Sequence, residues 1–96
     1  MGSAEGPKKP GGRSRMPTVA NQQKFFLRLG SRVRELRRKN GQSQEDMISY
    51  GFSARHWQQI EGGRSITVAT LLRICGVFET SVERLVRGLD RGIYED

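Results

Sequence analysis

Residues 54–61 contain several side chains that can form hydrogen bonds with the edges of nucleobases. On a helix over this segment Trp57 and Ile60 point inward. Arginine can pair with guanine through two hydrogen bonds, and glutamine can pair with adenine in the same way. The segment therefore favours reading of bases in a DNA major groove. The outward face consists of Ala54, Arg55, Gln58 and Gln59.

The other reactive residues are too few for catalysis or metal binding. The chain has one cysteine and one histidine, which cannot build a zinc finger. His56 has no nucleophile or carboxylate pair placed with it, so we expect a surface residue or a DNA contact there. We interpret Cys75 as a small buried thiol. No phosphate-binding or dinucleotide-binding glycine motif occurs. We therefore expect no enzyme activity, no cofactor and no metal.

A short turn positions the outward face. Gly51 can adopt a left-handed conformation without a Cβ clash, and Ser53 can cap the helix that follows. Two short helices, at about 44–50 and 54–61, would then form a helix-turn-helix.

Three further helices follow from apolar spacing and capping residues. A long helix over 22–39 carries one apolar stripe and ends at Asn40-Gly41, and Gly30 inside it permits close packing of a neighbouring helix. Thr67 starts a helix from Val68 to about Phe78, and Ser81 starts one from Val82 to Arg87. No segment alternates with period two. The prediction is an all-α domain of five helices.

The charge is distributed unevenly along the 96 residues, whose formal net charge is +7. Residues 1–20 carry +3, residues 21–40 carry +6 and residues 41–96 carry −2. Such a basic region favours a polyanionic partner. We predict a disordered basic arm over 1–20, rich in Gly, Pro and Ser, a domain over 21–89 and a short tail over 90–96. No apolar run is long enough for a membrane helix, which needs about 18 residues.

Five short motifs in this order resemble the Cro/repressor-type (XRE) helix-turn-helix family over about residues 26–87. They are Leu29-Gly30-x-x-Val33-x-x-Leu36-Arg37, Gly41-x-Ser43-Gln44-Glu45, Gly51-Phe52-Ser53, Ile60-Glu61-x-Gly63-Arg64 and Leu71-Leu72-x-Ile74-Cys75. The chain departs from the family in being one residue shorter between Ser43 and Gly51. This leaves open whether Ala54 or Arg55 makes the leading base contact.

The resemblance implies a role for each matching residue. It implies base contacts by Ala54, Arg55 and Gln59. It implies phosphate contacts by Gln44, Ser53 and Arg64, to which we add Gln58 at the edge of the outward face of helix 54–61. Arg37 and Glu61 match an arginine–glutamate pair that ties the long helix to the end of the recognition helix, and we interpret it as a structural ion pair.

Two hypotheses follow. The first is a sequence-specific transcriptional regulator that binds double-stranded DNA, in the prokaryotic cytoplasm with the nucleoid. It would be a monomer or weak homodimer, or would dimerise only on DNA, through Leu85, Val86, Leu89 and the tail. The second is a protein-interaction module of the same fold, either antitoxin-like or an adaptor for the transcription machinery.

Overall fold

The computed structural model describes residues 15–95, and its regular structure there is entirely helical. The prediction of five helices without strands is confirmed for this part of the chain. None of these helices is long and apolar enough to cross a membrane. In chain order they are α1 (Val19–Lys39), a 3-10 helix (Glu45–Tyr50), α2 (Ala54–Glu61), α3 (Val68–Phe78) and α4 (Val82–Val86).

Side-chain hydroxyl groups start all four α-helices. Ser53, Thr67 and Ser81 accept hydrogen bonds from the backbone N–H three residues on, which fixes the starts of α2, α3 and α4 where the sequence predicts them. Thr18 does the same for α1, with its Oγ1 3.0 Å from the N of Asn21. Because of this cap, α1 begins three residues before the predicted position 22. The first two residues of α1 therefore lie in the segment assigned to the arm, of which residues 1–14 lie outside the described part of the chain.

The segment predicted as an ordinary first motif helix is a 3-10 helix of six residues. Ser43 and Asp46 begin it with reciprocal bonds, since Ser43 N donates to Asp46 Oδ2 (2.7 Å) and Asp46 N donates to Ser43 Oγ (3.2 Å). A 3-10 helix rises about 2.0 Å per residue, against 1.5 Å in an α-helix. Six residues are therefore about 3 Å longer as a 3-10 helix than as an α-helix.

One apolar core joins the helices, and α1 packs directly on α2. The closest approach is at Gly30, where a Cβ would lie 2.5 Å from the carbonyl oxygen of Glu61 and 2.7 Å from that of Ile60. The expected close packing at Gly30 is therefore confirmed. The largest fully buried side chains are Trp57, Phe52, Met47, Ile60, Ile74, Leu85 and Val33.

The residues after α4 form what we call the C-terminal strap (residues 87–95), which packs back along α1. Three side chains of α1 bind it. In each of them, a single nitrogen donates hydrogen bonds to two backbone carbonyl oxygens of α4 or the strap, and these two oxygens belong to residues two positions apart. Arg32 Nη1 bonds Leu85 O and Arg87 O, Arg28 Nη1 bonds Leu89 O and Arg91 O, and Asn21 Nδ2 bonds Ile93 O and Glu95 O, at distances of 2.6–3.1 Å.

A four-residue repeat in the sequence explains this regularity. Leu85, Leu89 and Ile93 are buried, and Gly88 and Gly92 adopt positive φ angles of 78° and 75° between them. The predicted dimer surface is corrected accordingly. Leu85 and Leu89 are buried in the core of the monomer, so their side chains are not on its surface. The tail, over the residues described, is bound to α1.

Candidate nucleic-acid interface

The turn before α2 has the predicted backbone. Gly51 lies in the left-handed region with φ of 93°, and Ser53 Oγ accepts from His56 N at 3.0 Å. Phe52 is buried between them. Arg73 of α3 covers this ring, with its guanidinium carbon 4.1 Å from the ring centroid, and its Nη2 donates to Gly51 O at 2.9 Å. Sequence reasoning missed Arg73, because no local pattern signals a contact across 22 positions.

The polar face of α2 is directed to solvent. Arg55 and Gln58 are exposed, Ala54 and Gln59 are half-buried, and the opposite face is buried through Trp57, Ile60 and Glu61. The structure thus brings the predicted base-contacting side chains together on one accessible surface.

Glu61, at the end of α2, is the centre of a buried polar network. Its side chain is fully buried and forms a bidentate pair with Arg37, whose Nε lies 2.6 Å from Oε2 and whose Nη2 lies 3.0 Å from Oε1. Arg34, which is about half exposed, approaches Oε1 at 3.5 Å. The predicted structural pair therefore meets inside the domain and joins α1 to α2.

Two further donors reach the same carboxylate. Gln44 Nε2 bonds Oε1 at 3.0 Å, and Trp57 Nε1 bonds Oε2 at 2.6 Å. Burial opposes ionisation, but hydrogen bonds from Arg37, Gln44 and Trp57 outweigh it and hold the pKa of Glu61 below its usual value. The same pair raises the pKa of Arg37, mainly through its hydrogen bond to Glu61. The carboxylate is thus ionised and only accepts hydrogen bonds.

The role of Trp57 as a partner of Glu61 was also missed. The two residues are four apart, which places them on the same side of α2, and that spacing was a usable signal.

Gln44 connects the buried network to the outward face. It is half-buried, and its Oε1 accepts from Gln58 Nε2 at 3.3 Å while its own Nε2 is directed to Glu61. Both glutamines were assigned to phosphate. In this structure each already has an internal partner.

A groove of about 270 Å³ lies beside α2 and the start of α3. Arg64, assigned to phosphate, is exposed at this groove, and the half-buried His56 lines it. The remaining lining residues are Gln59, Ile60, Ser65, Ile66, Thr67 and Thr70.

Cys75 is buried, and burial raises the pKa of its thiol. Such a thiol is a poor nucleophile. Within residues 15–95 no three His, Cys, Asp or Glu side chains lie together in a way that could hold a metal ion.

The fold and the site thus define a small all-α domain with an exposed arginine and glutamine face on a short, capped helix. Comparison of the chain with family models, with curated proteins and with solved structures finds no match.

Proposed function

We propose that this chain is a sequence-specific DNA-binding domain of the Cro/repressor (XRE) type that inserts α2 into the major groove. The observation that carries the proposal is the outward face of α2, where Arg55 and Gln58 are exposed and Gln59 is half-buried, on a helix fixed by the buried Glu61 network. A rigid helix with amide and guanidinium groups on its outer face can match the donor and acceptor pattern of base edges.

The supporting contacts explain how α2 would be presented. Ser53 caps its first turn, and Gln44, which directly precedes the 3-10 helix, is bonded to Gln58 of α2. Arg64, beside the groove at the start of α3, would contact the DNA backbone. The basic first forty residues would add affinity and steering through phosphates, without sequence preference.

Random-site selection with the purified protein tests the proposal directly. We expect enrichment of a defined motif, with affinity for that motif falling steeply as salt increases. Arg55→Ala and Gln59→Ala should each reduce discrimination at one base pair by about 5- to 100-fold. Gln23→Ala, an exposed glutamine of α1, serves as the matched control and should leave the motif unchanged.

One observation favours the second hypothesis, a protein-interaction module. Val68 and Leu72 lie one turn apart on α3 and are 70% and 56% exposed. If Arg55→Ala and Gln59→Ala leave DNA binding unchanged while Leu72→Asp abolishes capture of a protein partner, the interaction module is the better description.

A further inference from the structure

A chain of hydrogen bonds runs from the buried Glu61 to the surface of α2. Gln44 Nε2 donates to Glu61 Oε1 at 3.0 Å, and Gln58 Nε2 donates to Gln44 Oε1 at 3.3 Å. Glu61 is fully buried, Gln44 is half-buried and Gln58 is exposed. The network therefore leads from a fixed charge in the core to a side chain on the proposed DNA-binding face.

The negative charge of Glu61 determines how the side-chain amides of Gln44 and Gln58 are oriented. An ionised carboxylate only accepts hydrogen bonds, so Gln44 must turn its NH₂ group toward Glu61. Its carbonyl oxygen is then presented to Gln58, which must in turn direct its own NH₂ group inward. The consequence is that Gln58 presents its carbonyl oxygen, an acceptor, and its one remaining N–H to whatever approaches α2.

We propose that Gln58 is a specificity-determining residue that accepts a hydrogen bond from an exocyclic amino group in the major groove. This inference rests on the proposed function of α2. The amino groups available in that groove are N6 of adenine and N4 of cytosine, whereas guanine and thymine present acceptors there. Gln44 is the positioning residue, since it acts on the base only through Gln58.

The same geometry argues against the phosphate contact assigned to Gln58 from the sequence. Phosphate oxygens only accept hydrogen bonds, so such a contact would use the one remaining N–H of Gln58 and leave its Oε1 without a donor. An amino group of a base satisfies that oxygen instead.

The test measures binding to duplexes that carry the selected motif with single major-groove amino groups removed. Purine replaces each adenine in turn, and pyrimidin-2-one replaces each cytosine, so the analogue that has an effect distinguishes the two bases. We expect one replacement to weaken binding of the unaltered protein by about 5- to 20-fold. Gln58→Ala should bind both duplexes alike, whereas Gln59→Ala should remain sensitive to that replacement.

Gln44→Met tests the positioning role. With its partner removed, Gln58 can rotate its amide, so the sensitivity to the missing amino group should fall while the other positions of the motif keep their preferences. Circular dichroism shows whether this variant is folded, and Gln58→Ala decides the inference if it is not.

Two results would overturn the inference. The first is that Gln58→Ala weakens binding to all sequences equally, which is the behaviour of a phosphate contact. The second is a motif in which no amino group depends on Gln58. A selection that enriches no motif would instead contradict the proposed function itself.

Discussion

The indole Nε1 of Trp57 donates a hydrogen bond of 2.6 Å to Oε2 of Glu61, one turn further along α2. Both side chains are fully buried. Because Arg37 reaches the same carboxylate from α1, the buried charge has partners on both helices. The orientation of α2 on α1 is therefore defined by directional bonds as well as by apolar packing.

Trp57→Phe removes this donor and leaves an aromatic ring. We expect the free energy of unfolding to fall by about 2–4 kcal/mol, from loss of a hydrogen bond to a charged group and from the smaller ring. Urea denaturation followed by circular dichroism measures it. In a Glu61→Gln background, where the acceptor is no longer charged, the cost of Trp57→Phe should shrink. An equal cost in both backgrounds would show that the charge of Glu61 adds nothing to the contribution of the tryptophan.

The lowered pKa of Glu61 makes stability depend on acid pH. A carboxyl whose pKa is lower in the folded state contributes stability that is fully present above its unfolded pKa, about 4.3 for Glu. This contribution is lost as pH falls below that value and through the folded pKa. Urea midpoints between pH 7 and pH 3 should therefore fall less steeply for Glu61→Gln than for the unaltered protein, although Glu61→Gln is less stable at neutral pH. Parallel curves would exclude Glu61 as a source of the acid sensitivity.

Local signals in the sequence predicted much of this fold, whereas contacts between residues far apart in the sequence could not be predicted from it. The caps at Ser53, Thr67 and Ser81 need only the hydroxyl and the following three residues, so the starts of α2 to α4 follow directly. The start of α1 was missed although Thr18 is the same kind of cap, because the surrounding composition resembles a linker. The strap was missed because Gly88 and Gly92 interrupt the helix that the four-residue spacing of Leu85, Leu89 and Ile93 would otherwise indicate.

The candidate site also has features that the sequence predicts and features that depend on contacts between distant residues. The outward face of α2 follows from helical periodicity, and the partner of Arg37 follows from the family resemblance. The amide directions of Gln44 and Gln58 depend on a contact with Glu61 that joins three elements of the fold, and no pattern along the chain records it.

Gly30 and Gly76 form a matched pair, since both lie within helices and neither has a positive φ angle. A Cβ at Gly30 would lie 2.5 Å from the carbonyl oxygen of Glu61, whereas a Cβ at Gly76 would have nothing within 4 Å. Gly76→Ala should therefore raise the free energy of unfolding by about 0.5–1 kcal/mol through helix propensity. Gly30→Ala should lower it, because α1 and α2 must move apart. Thermal and urea unfolding report both, and stabilisation by Gly30→Ala would contradict the close approach.

Arg28 offers a test of how the strap is held. Its Nη1 donates to the carbonyl oxygens of Leu89 and Arg91, each at 2.8 Å. Arg28→Met keeps the aliphatic stem but removes both bonds, so we expect a loss of about 1–3 kcal/mol in the free energy of unfolding.

Arg28→Met should destabilise the strap more than the rest of the domain. Hydrogen exchange of the amides in residues 89–95 should accelerate in Arg28→Met, while those of α2 keep their relative protection, because the Glu61 network does not involve Arg28. Lys24→Met, at an exposed position of the same helix, is the control and should leave the strap amides unchanged. If both variants exchange alike, the apolar contacts of Leu89 and Ile93 alone hold the strap, and the bridging bonds from α1 contribute little.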